Sequence, residues 1–489
     1  MPHFPILGID SVEVTVEQSQ RLVVVSNRVP PASAVAPQGG SGSVSVGGLV
    51  SAVKPTMERY GGIWLGWSGR STQRRGSNEP TITDLGRLQL ATLDLSEDES
   101  SMYYTGYSNR TLWPLLHSFP GRVVIRHDTY RFYRRINRRF AEAVFSILKP
   151  GDQVWIHDFH LFHVGFELRQ LGWTGSIGFF LHVPFPSADI FSILPWSKET
   201  LEALLHYDLV GVHTDRYLRN LRDTLDSELG GSLDDRGIYS FEGLSSKLGV
   251  YSIGIEPSVF QRKDTQDRRG LTEEISLNAD PNHRLIIGVD RLDYTKGIPH
   301  RLRAFERMLE HHTHLRGKVT YVQISSPSRT RVPEYVQEKE QVERLVGQIN
   351  GRFSEANWVP IRYLYRSYPQ YDLARFYHDA DVGMVTPLRD GMNLVAKEFV
   401  AAQGEENPGV LVLSQFSGSA SSLLDAVIVN PYDVDGTAEA TYRALRMPLA
   451  ERRSRSKTLM ESVLKHDASA WSESFLHDLG VYSAQVSVV

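Results

Sequence analysis

Thr386-Pro-Leu-Arg-Asp-Gly-Met-Asn-Leu-Val-Ala-Lys-Glu398 decides how the rest of the chain is read. It follows Ala380-Asp-Val-Gly-Met-Val385, an apolar run that reads as a buried strand. After it, Leu394 to Gln403 has helix formers and apolar residues at helical spacing. Between the two lies a Pro-Leu-Arg-Asp-Gly turn. A strand, a tight loop and a helix start make an anion site, because the first helical N–H groups have no intrahelical partner and the helix dipole favours negative charge there. Asp390 on the loop falls near whatever lies beyond the anion. Glu398, about a turn into the helix, falls to its side, within reach of hydroxyls. A phosphorylated sugar ligand would use all three features. Taken alone, the stretch is also compatible with an ordinary βα loop carrying a solvated acid at each end.

The chain has 489 residues, too many for one core, and two domains of about 200–250 residues each are the natural expectation. Hydrophobic residues make up 41% and charged ones 22%, as in ordinary globular proteins. The net charge of −4 gives no global pull toward nucleic acid or a membrane surface. There are no cysteines, which removes disulfides, thiolate zinc sites and cysteine nucleophiles and suits a cytoplasmic protein. No apolar stretch approaches the roughly 20 residues of a spanning helix. Met1-Pro-His-Phe-Pro5 lacks the basic start and long apolar run of a signal peptide.

Outward from the opening stretch the same pattern recurs. Residues 1–20 carry little pattern and read as an extension. Arg21-Leu-Val-Val-Val-Ser26 reads as a first core strand, ending in Asn27-Arg28. A Gly/Ser/Ala-rich loop follows, and Val46-Gly47-Gly48-Leu49 leads into a helical pattern to Tyr60, again a candidate phosphate contact. It is not the dinucleotide GxGxxG fingerprint. Gly62 to Gly69 reads as another short strand. Tyr103-Tyr104, Tyr107 and Trp113-Pro114 form an aromatic stretch with polar tips, suited to core packing or to a sugar-holding wall. Residues 131–144 read as an amphipathic helix. Phe132, Ile136, Phe140 and Val144 face inward, and Arg131, Arg134, Arg135, Arg138 and Arg139 face away as a solvated basic face or an oligomer contact.

Strands before His157-Asp158 and before His182 each place polar groups just past a buried C-terminal strand end, the edge where open α/β sheets bind ligands. His157, Asp158, His160 and His182 are also metal-ligand types, but no HExxH helix or paired-ligand motif supports a zinc site. The domain boundary is placed near residue 256, and Gln261 to Asn282 is polar and charge-rich. A second α/β series starts at His283. It contains Asp290-Arg291-Leu-Asp293-Tyr-Thr-Lys296-Gly297, where Arg291 can fork onto phosphate oxygens and Lys296 adds a point charge, and then Arg329 past the next strand. Two doubly wound sheets facing across a cleft are expected. Arg28, Tyr104, Asp158 and His182 would line one side, and Arg291, Lys296, Arg329, Asp390 and Glu398 the other. Two groups of cations call for two phosphorylated ligands, one of them nucleotide-linked. Absence of a Walker A or kinase set disfavours phosphoryl transfer, and absence of a GxSxG elbow disfavours Ser-His-Asp hydrolysis.

Ser26-Asn27-Arg28, Val46-Gly47-Gly48-Leu49, Leu112-Trp113-Pro114, Trp155-Ile-His157-Asp158, His182-Val-Pro-Phe-Pro186, Gly254-Ile-Glu-Pro257, Asp290 to Gly297 and the opening stretch together resemble the trehalose-6-phosphate synthase family, in order, from about residue 21 to 480. Beyond the extension at 1–20, the resemblance implies a GT-B fold with an acceptor domain (21–255), a nucleotide-sugar domain (256–465) and a last helix (466–489) packing back on the first domain. It implies retaining glucosyl transfer from UDP-glucose to glucose 6-phosphate, with no cofactor, no metal, no nucleic-acid or membrane partner, a cytoplasmic location and a homo-oligomer. It assigns Arg28, Tyr104, Trp113, Asp158 and Arg329 to the acceptor. Gly48, Arg291, Lys296, Tyr368, Asp390, Leu394, Val395 and Glu398 are assigned to the donor. Catalytic work falls to His182, Arg291, Lys296 and Asp390. Tyr368 falls where the family places a residue over the base, often not a tyrosine.

Three features depart from the family pattern: the long Gly/Ser-rich loop from Val29 to Val46, Ser417-Gly-Ser-Ala-Ser-Ser422 where many relatives carry an acid, and the N-terminal arm. A glucosylglycerol-phosphate synthase would keep the donor residues and change the acceptor wall. A non-catalytic regulatory homologue would have lost donor residues that are present here. A pseudo-glycosyl synthase joining cyclitols keeps the same motifs.

Overall fold

The computed structural model describes residues 21–32, 48–73, 76, 78–261, 270–274, 282–330 and 332–486. The N-terminal arm, most of the Gly/Ser-rich loop and most of the Gln261–Asn282 segment lie outside them. Leu22–Arg28 forms β1, and Val23, Val24 and Val25 are fully buried. Such a run is stable only with both sheet faces covered, as in parallel α/β sheets. The first sheet adds β2 (Gly62–Thr72), β3 (Thr81–Asp84), β4 (Leu88–Ser96), β5 (Gln153–His157), β6 (Ile177–Phe180), β7 (Leu209–Val212), β8 (Ser232–Leu233), β9 (Ile238–Phe241) and β10 (Leu244–Val250). Its order is β3-β4-β2-β1-β5-β6-β7-β10-β9-β8. The strands from β4 to β10 in that order pair in parallel, and β3, β9 and β8 are antiparallel additions at the edges.

The second sheet is parallel throughout: β11 (Arg284–Arg291), β12 (Val319–Ser326), β13 (Ile361–Leu364), β14 (Val382–Val385), β15 (Val410–Ser414) and β16 (Val427–Val429), in the order β13-β12-β11-β14-β15-β16. The chain direction of strand succession reverses at β11, which makes its C-terminal end the natural crevice. Buried Arg301 fixes that edge. Its guanidinium donates to Asp290 Oδ2 (2.6 Å), Thr386 Oγ1 (2.9 Å) and Gln323 Oε1 (3.2 Å), tying β11, the loop after β14, and β12 together.

The last helix, Ala468–Val486, leaves the second domain and packs on the first sheet. Phe475 stacks on Trp155 with ring centroids 4.9 Å apart. A Cβ on Gly178 or Gly211 would approach the Phe475 ring to 2.7 or 2.8 Å, so both strands use glycine to admit it. Phe475→Ala is therefore expected to cost about 3–5 kcal/mol, measured as a lower urea midpoint.

The aromatic stretch lies on Ser100–Leu112, a π-helical segment that runs into a short α-helix, Trp113–Leu116. Such widened turns gather at functional sites. Arg139 does not belong to the solvated face of its helix, His127–Ile147. It is buried, donating to Glu99 Oε2 (3.0 Å) and to the Asp94 carbonyl (2.9 Å). The π-helical segment and β4 cover the helix there, so Arg139 sits between elements rather than toward water.

Candidate active site

The sheet orders explain why residues far apart in sequence meet. In the first sheet β1, β5 and β6 are neighbours, and Arg28, Asp158 and His182 stand at or just past their C-terminal ends. In the second, β12, β11 and β14 are neighbours, and Arg329, Arg291 and the Thr386–Asp390 loop stand at theirs. The two edges face each other. A Cβ on Gly391 would lie 2.1 Å from the His182 carbonyl oxygen, and the Tyr217 hydroxyl donates to the Asp390 carbonyl at 2.7 Å. Glycine at 391 is thus a condition for closing the cleft.

One lobe of the cleft is a cation–aromatic wall. The Arg329 guanidinium lies 4.0 Å from the Trp113 ring centroid and that of Arg291 lies 5.5 Å from it. Arg329 also pairs with Asp293 at 3.4 Å and donates to the Tyr335 hydroxyl. Tyr104 stacks on His160 at 5.9 Å and meets the edge of Trp67 at 5.8 Å. Burial alone would raise the Tyr104 hydroxyl, but Arg329 and Arg291 outweigh it and lower its pKa. Arg28 is exposed and lies 6.0 Å from the Trp67 ring. Arg329, counted with the second domain from its place in sequence, thus joins the wall built by the first. Asp158 sits at φ 77°, a left-handed conformation uncommon for aspartate, and its carboxylate accepts from the His182 backbone N–H at 3.2 Å. Burial raises it to about 6 against the pull of two backbone N–H groups, Arg329 and Arg291.

The other lobe is built on helix starts. Leu394–Ala402 is a helix whose preceding residue, Asn393, adopts φ 63°. The Asn393 side chain turns back to donate to Asp390 Oδ2 at 2.9 Å rather than capping the helix, which leaves the first helical N–H groups for a ligand. A second helix, Gly48–Tyr60, begins opposite, and a Cβ on Gly48 would meet Leu394 Cδ1 at 3.0 Å. Two positive helix ends therefore converge. Beside them the buried Lys296 ammonium donates to Asp390 Oδ2, and Gly391 N–H donates to Asp390 Oδ1 at 3.0 Å. Burial opposes ionisation of Asp390, but Lys296, with His117 and Arg291, holds its carboxyl below the ordinary range. A cavity of about 250 Å³ opens next to the helix starts, lined among others by Ser51, Gly254, Phe260, Leu394 and Glu398. Burial pushes the Glu398 carboxyl up to about 7, partly offset by the Tyr377 hydroxyl, which donates to it at 3.2 Å.

Most of the expected residues thus share one cleft. Tyr368 stands apart from the cavity lining: it packs edge-on against Phe376 and its hydroxyl donates to Glu274 at 2.8 Å. His157 and His182 face each other, Nδ1 to Nε2, at 3.0 Å. Among the described residues no group of three or more His, Asp or Glu side chains is arranged to hold a metal ion. Ser417 Oγ donates to the Met392 carbonyl and shares a hydrogen bond with Ser419 Oγ, so the Ser-rich segment supports the loop around Asp390 from behind. Sequence reading missed Tyr217, Tyr335 and His117. Burial lowers His117 to about 4, and its Nδ1 lies 2.8 Å from the Trp113 carbonyl oxygen. Its spacing of four from Trp113 was the one available signal. Tyr335 occupies an ordinary apolar position of the helix Pro333–Phe353 and offered none.

Comparison with known proteins places this geometry. The family model described as glycosyltransferase family 20 matches residues 20–480. A trehalose-6-phosphate synthase from Sinorhizobium fredii is 44% identical over 94% of this chain and 98% of its own length. One from Citrobacter koseri is 40% identical over 94% and 95%. A UDP-forming α,α-trehalose-phosphate synthase from Burkholderia xenovorans, solved with glucose 6-phosphate, superposes with a TM-score of 0.87 at 40% identity, covering 94% of this chain and all (100%) of the other. An E. coli structure bound with UDP-2-fluoro glucose gives 0.87 at 39% identity, over 94% and 98%. The fold is that of the GT-B glycosyltransferases, and the chain belongs to glycosyltransferase family 20.

Proposed function

We propose that the protein moves glucose from UDP-glucose to the anomeric hydroxyl of glucose 6-phosphate, with retention, forming α,α-trehalose 6-phosphate and UDP. The observation that carries this reading is the convergence of the Gly48 and Leu394 helix starts with Arg291 and Lys296, a diphosphate cradle, directly beside the Trp113–Arg329–Tyr104 wall. Relatives named trehalose-6-phosphate synthase, and neighbours solved with glucose 6-phosphate and with UDP-2-fluoro glucose, support the substrate pair.

In this reading the acceptor phosphate lies against Arg28 and Arg329, and its sugar ring against Tyr104 and Trp113, with Asp158 taking hydroxyls. His182 and Asp390 hold the moving glucose. Leu394 and Val395 offer backbone groups to the nucleotide, and Glu398 takes ribose hydroxyls. Retention through a covalent intermediate needs a free carboxylate beneath the anomeric carbon. Asp390 is engaged by Lys296, Asn393 and Gly391, which fits a front-side route instead. The C1–diphosphate bond breaks, the acceptor oxygen bonds to C1 on the same face, and its proton passes to the leaving diphosphate oxygen. Arg291 and Lys296 stabilise the growing charge, so the cradle's own cations do the neutralising. A cytoplasmic, homo-oligomeric enzyme completes the reading. Among the described residues no helix is long and apolar enough to cross a membrane.

The test offers UDP-, GDP- and ADP-glucose with glucose 6-phosphate or glycerol 3-phosphate. UDP release with glucose 6-phosphate is expected; no nucleotide release with any pair would end the enzyme reading. Glu398 adds a pH dependence. Its carboxylate accepts from ribose hydroxyls and its protonated form does so poorly. Donor kcat/KM should therefore fall as pH drops through about 7. Glu398→Gln should lower donor affinity and flatten that limb of the profile, while a profile unchanged by the substitution would remove Glu398 from the donor site.

A further inference from the structure

The chain passes between the two domains twice, and both passages run together. A Cβ on Gly254 would lie 2.0 Å from the His466 carbonyl oxygen and 2.5 Å from the Asp467 carbonyl carbon, so the first passage lies directly on the second. The Ala468 N–H donates to the Ile255 carbonyl at 3.0 Å. A third element reaches both. Lys397, on the helix Leu394–Ala402, is 1% exposed, and its ammonium donates to the Ile253 carbonyl at 2.8 Å and to the His466 carbonyl at 3.5 Å. A buried ammonium is costly unless it is well satisfied. Here two carbonyls, one from each passage, and the nearby Asp467 carboxylate are what satisfy it. Lys397 touches none of the cation–aromatic wall, yet its neighbour Glu398 lines the cavity beside the helix starts.

We propose that Lys397 is a positioning residue that couples the donor helix to the interdomain pivot: one face of this helix takes the nucleotide, and Lys397 on another face holds both passages about which the domains close. This rests on the donor-site reading above. Donor binding would then order the second passage although it does not touch the donor, and would set the closed geometry in which Arg329 meets Trp113.

Lys397→Met keeps the stem and removes the donors. The full-length variant is expected to bind UDP within about threefold of the parent by calorimetry. Its kcat should fall by tenfold or more, its KM for glucose 6-phosphate should rise, and a larger share of UDP-glucose should be hydrolysed rather than transferred, because closure excludes water. Lys397→Arg, which restores donors at that position, should recover part of the transfer fraction. Unchanged kcat and transfer fraction in Lys397→Met would overturn the proposal. Hydrogen exchange on the unaltered protein gives an answer even if Lys397→Met does not fold. Residues 466–470, outside the donor cavity, should gain protection on adding UDP with glucose 6-phosphate. UDP binding without that gain would also overturn it, whereas no UDP binding at all would overturn the donor-site reading first.

Discussion

Arg291→Ala is expected to lower kcat/KM by about 10²–10³-fold, the usual loss when one donor to a developing oxyanion is removed. The structure makes this a clean experiment. Arg291 ends β11, is exposed, and forms no hydrogen bond or ion pair among the described residues. Its guanidinium lies 5.5 Å from the Trp113 ring centroid and acts on Tyr104, Asp158 and Asp390 through its charge. Folding stability should therefore change by less than about 1 kcal/mol. Steady-state kinetics beside a thermal melt decides the matter. A loss under about fivefold, far below the 10²–10³-fold expected of a missing oxyanion donor, would take Arg291 away from the diphosphate. Because Arg291 also faces the acceptor wall, part of the loss should appear as a raised KM for glucose 6-phosphate.

Asp390→Asn is expected to behave differently, losing turnover by a similar factor of about 10²–10³ and stability as well. Its carboxylate is where Lys296, Asn393 and the Gly391 N–H converge, and where the proposed function puts the moving sugar. An amide cannot balance the Lys296 charge, and a buried cation left without its partner costs about 3–5 kcal/mol. Lys296→Met combined with Asp390→Asn separates the two losses. Replacing both charges removes the unpaired ion, so stability should largely return, while turnover should not. Recovery of turnover in the double variant would mean that the pair is structural and that neither residue handles substrate.

The fold was legible where one strand run and one loop carried it. Val23 to Val25, the runs before His157 and His182, and the stretch from Thr386 to Glu398 each announced a buried parallel strand with a polar C-terminal edge. That edge is where both sheets put their candidate ligand groups, so most candidate residues could be named before their neighbours were known. The pairings between them could not. Lys296 and Asp390 lie 94 positions apart, and only the adjacency of β11 and β14 makes them one group. Arg329 stands in the second half of the sequence and was assigned to the acceptor only through the family resemblance; that it crosses the cleft to lie 4.0 Å from the Trp113 ring centroid could not be read from its neighbours in sequence. Arg139 was misread because helical spacing gives a direction around one helix axis, not what another element lays over that face. Tyr335 and Tyr217 were invisible for a related reason: a tyrosine at a core position looks the same whether its hydroxyl is idle or holds a functional group. Lys397 stood in the opening stretch itself, and nothing local distinguished it from a solvated lysine.

The proposed transfer with retention leaves a record in the product. The decisive measurement is the proton NMR spectrum of the sugar formed from UDP-glucose and glucose 6-phosphate. The proposed function predicts a non-reducing phosphorylated disaccharide in which both anomeric protons show the small coupling of α linkages. A β-linked product, or a disaccharide that keeps a free reducing end, would contradict the assignment of the cleft.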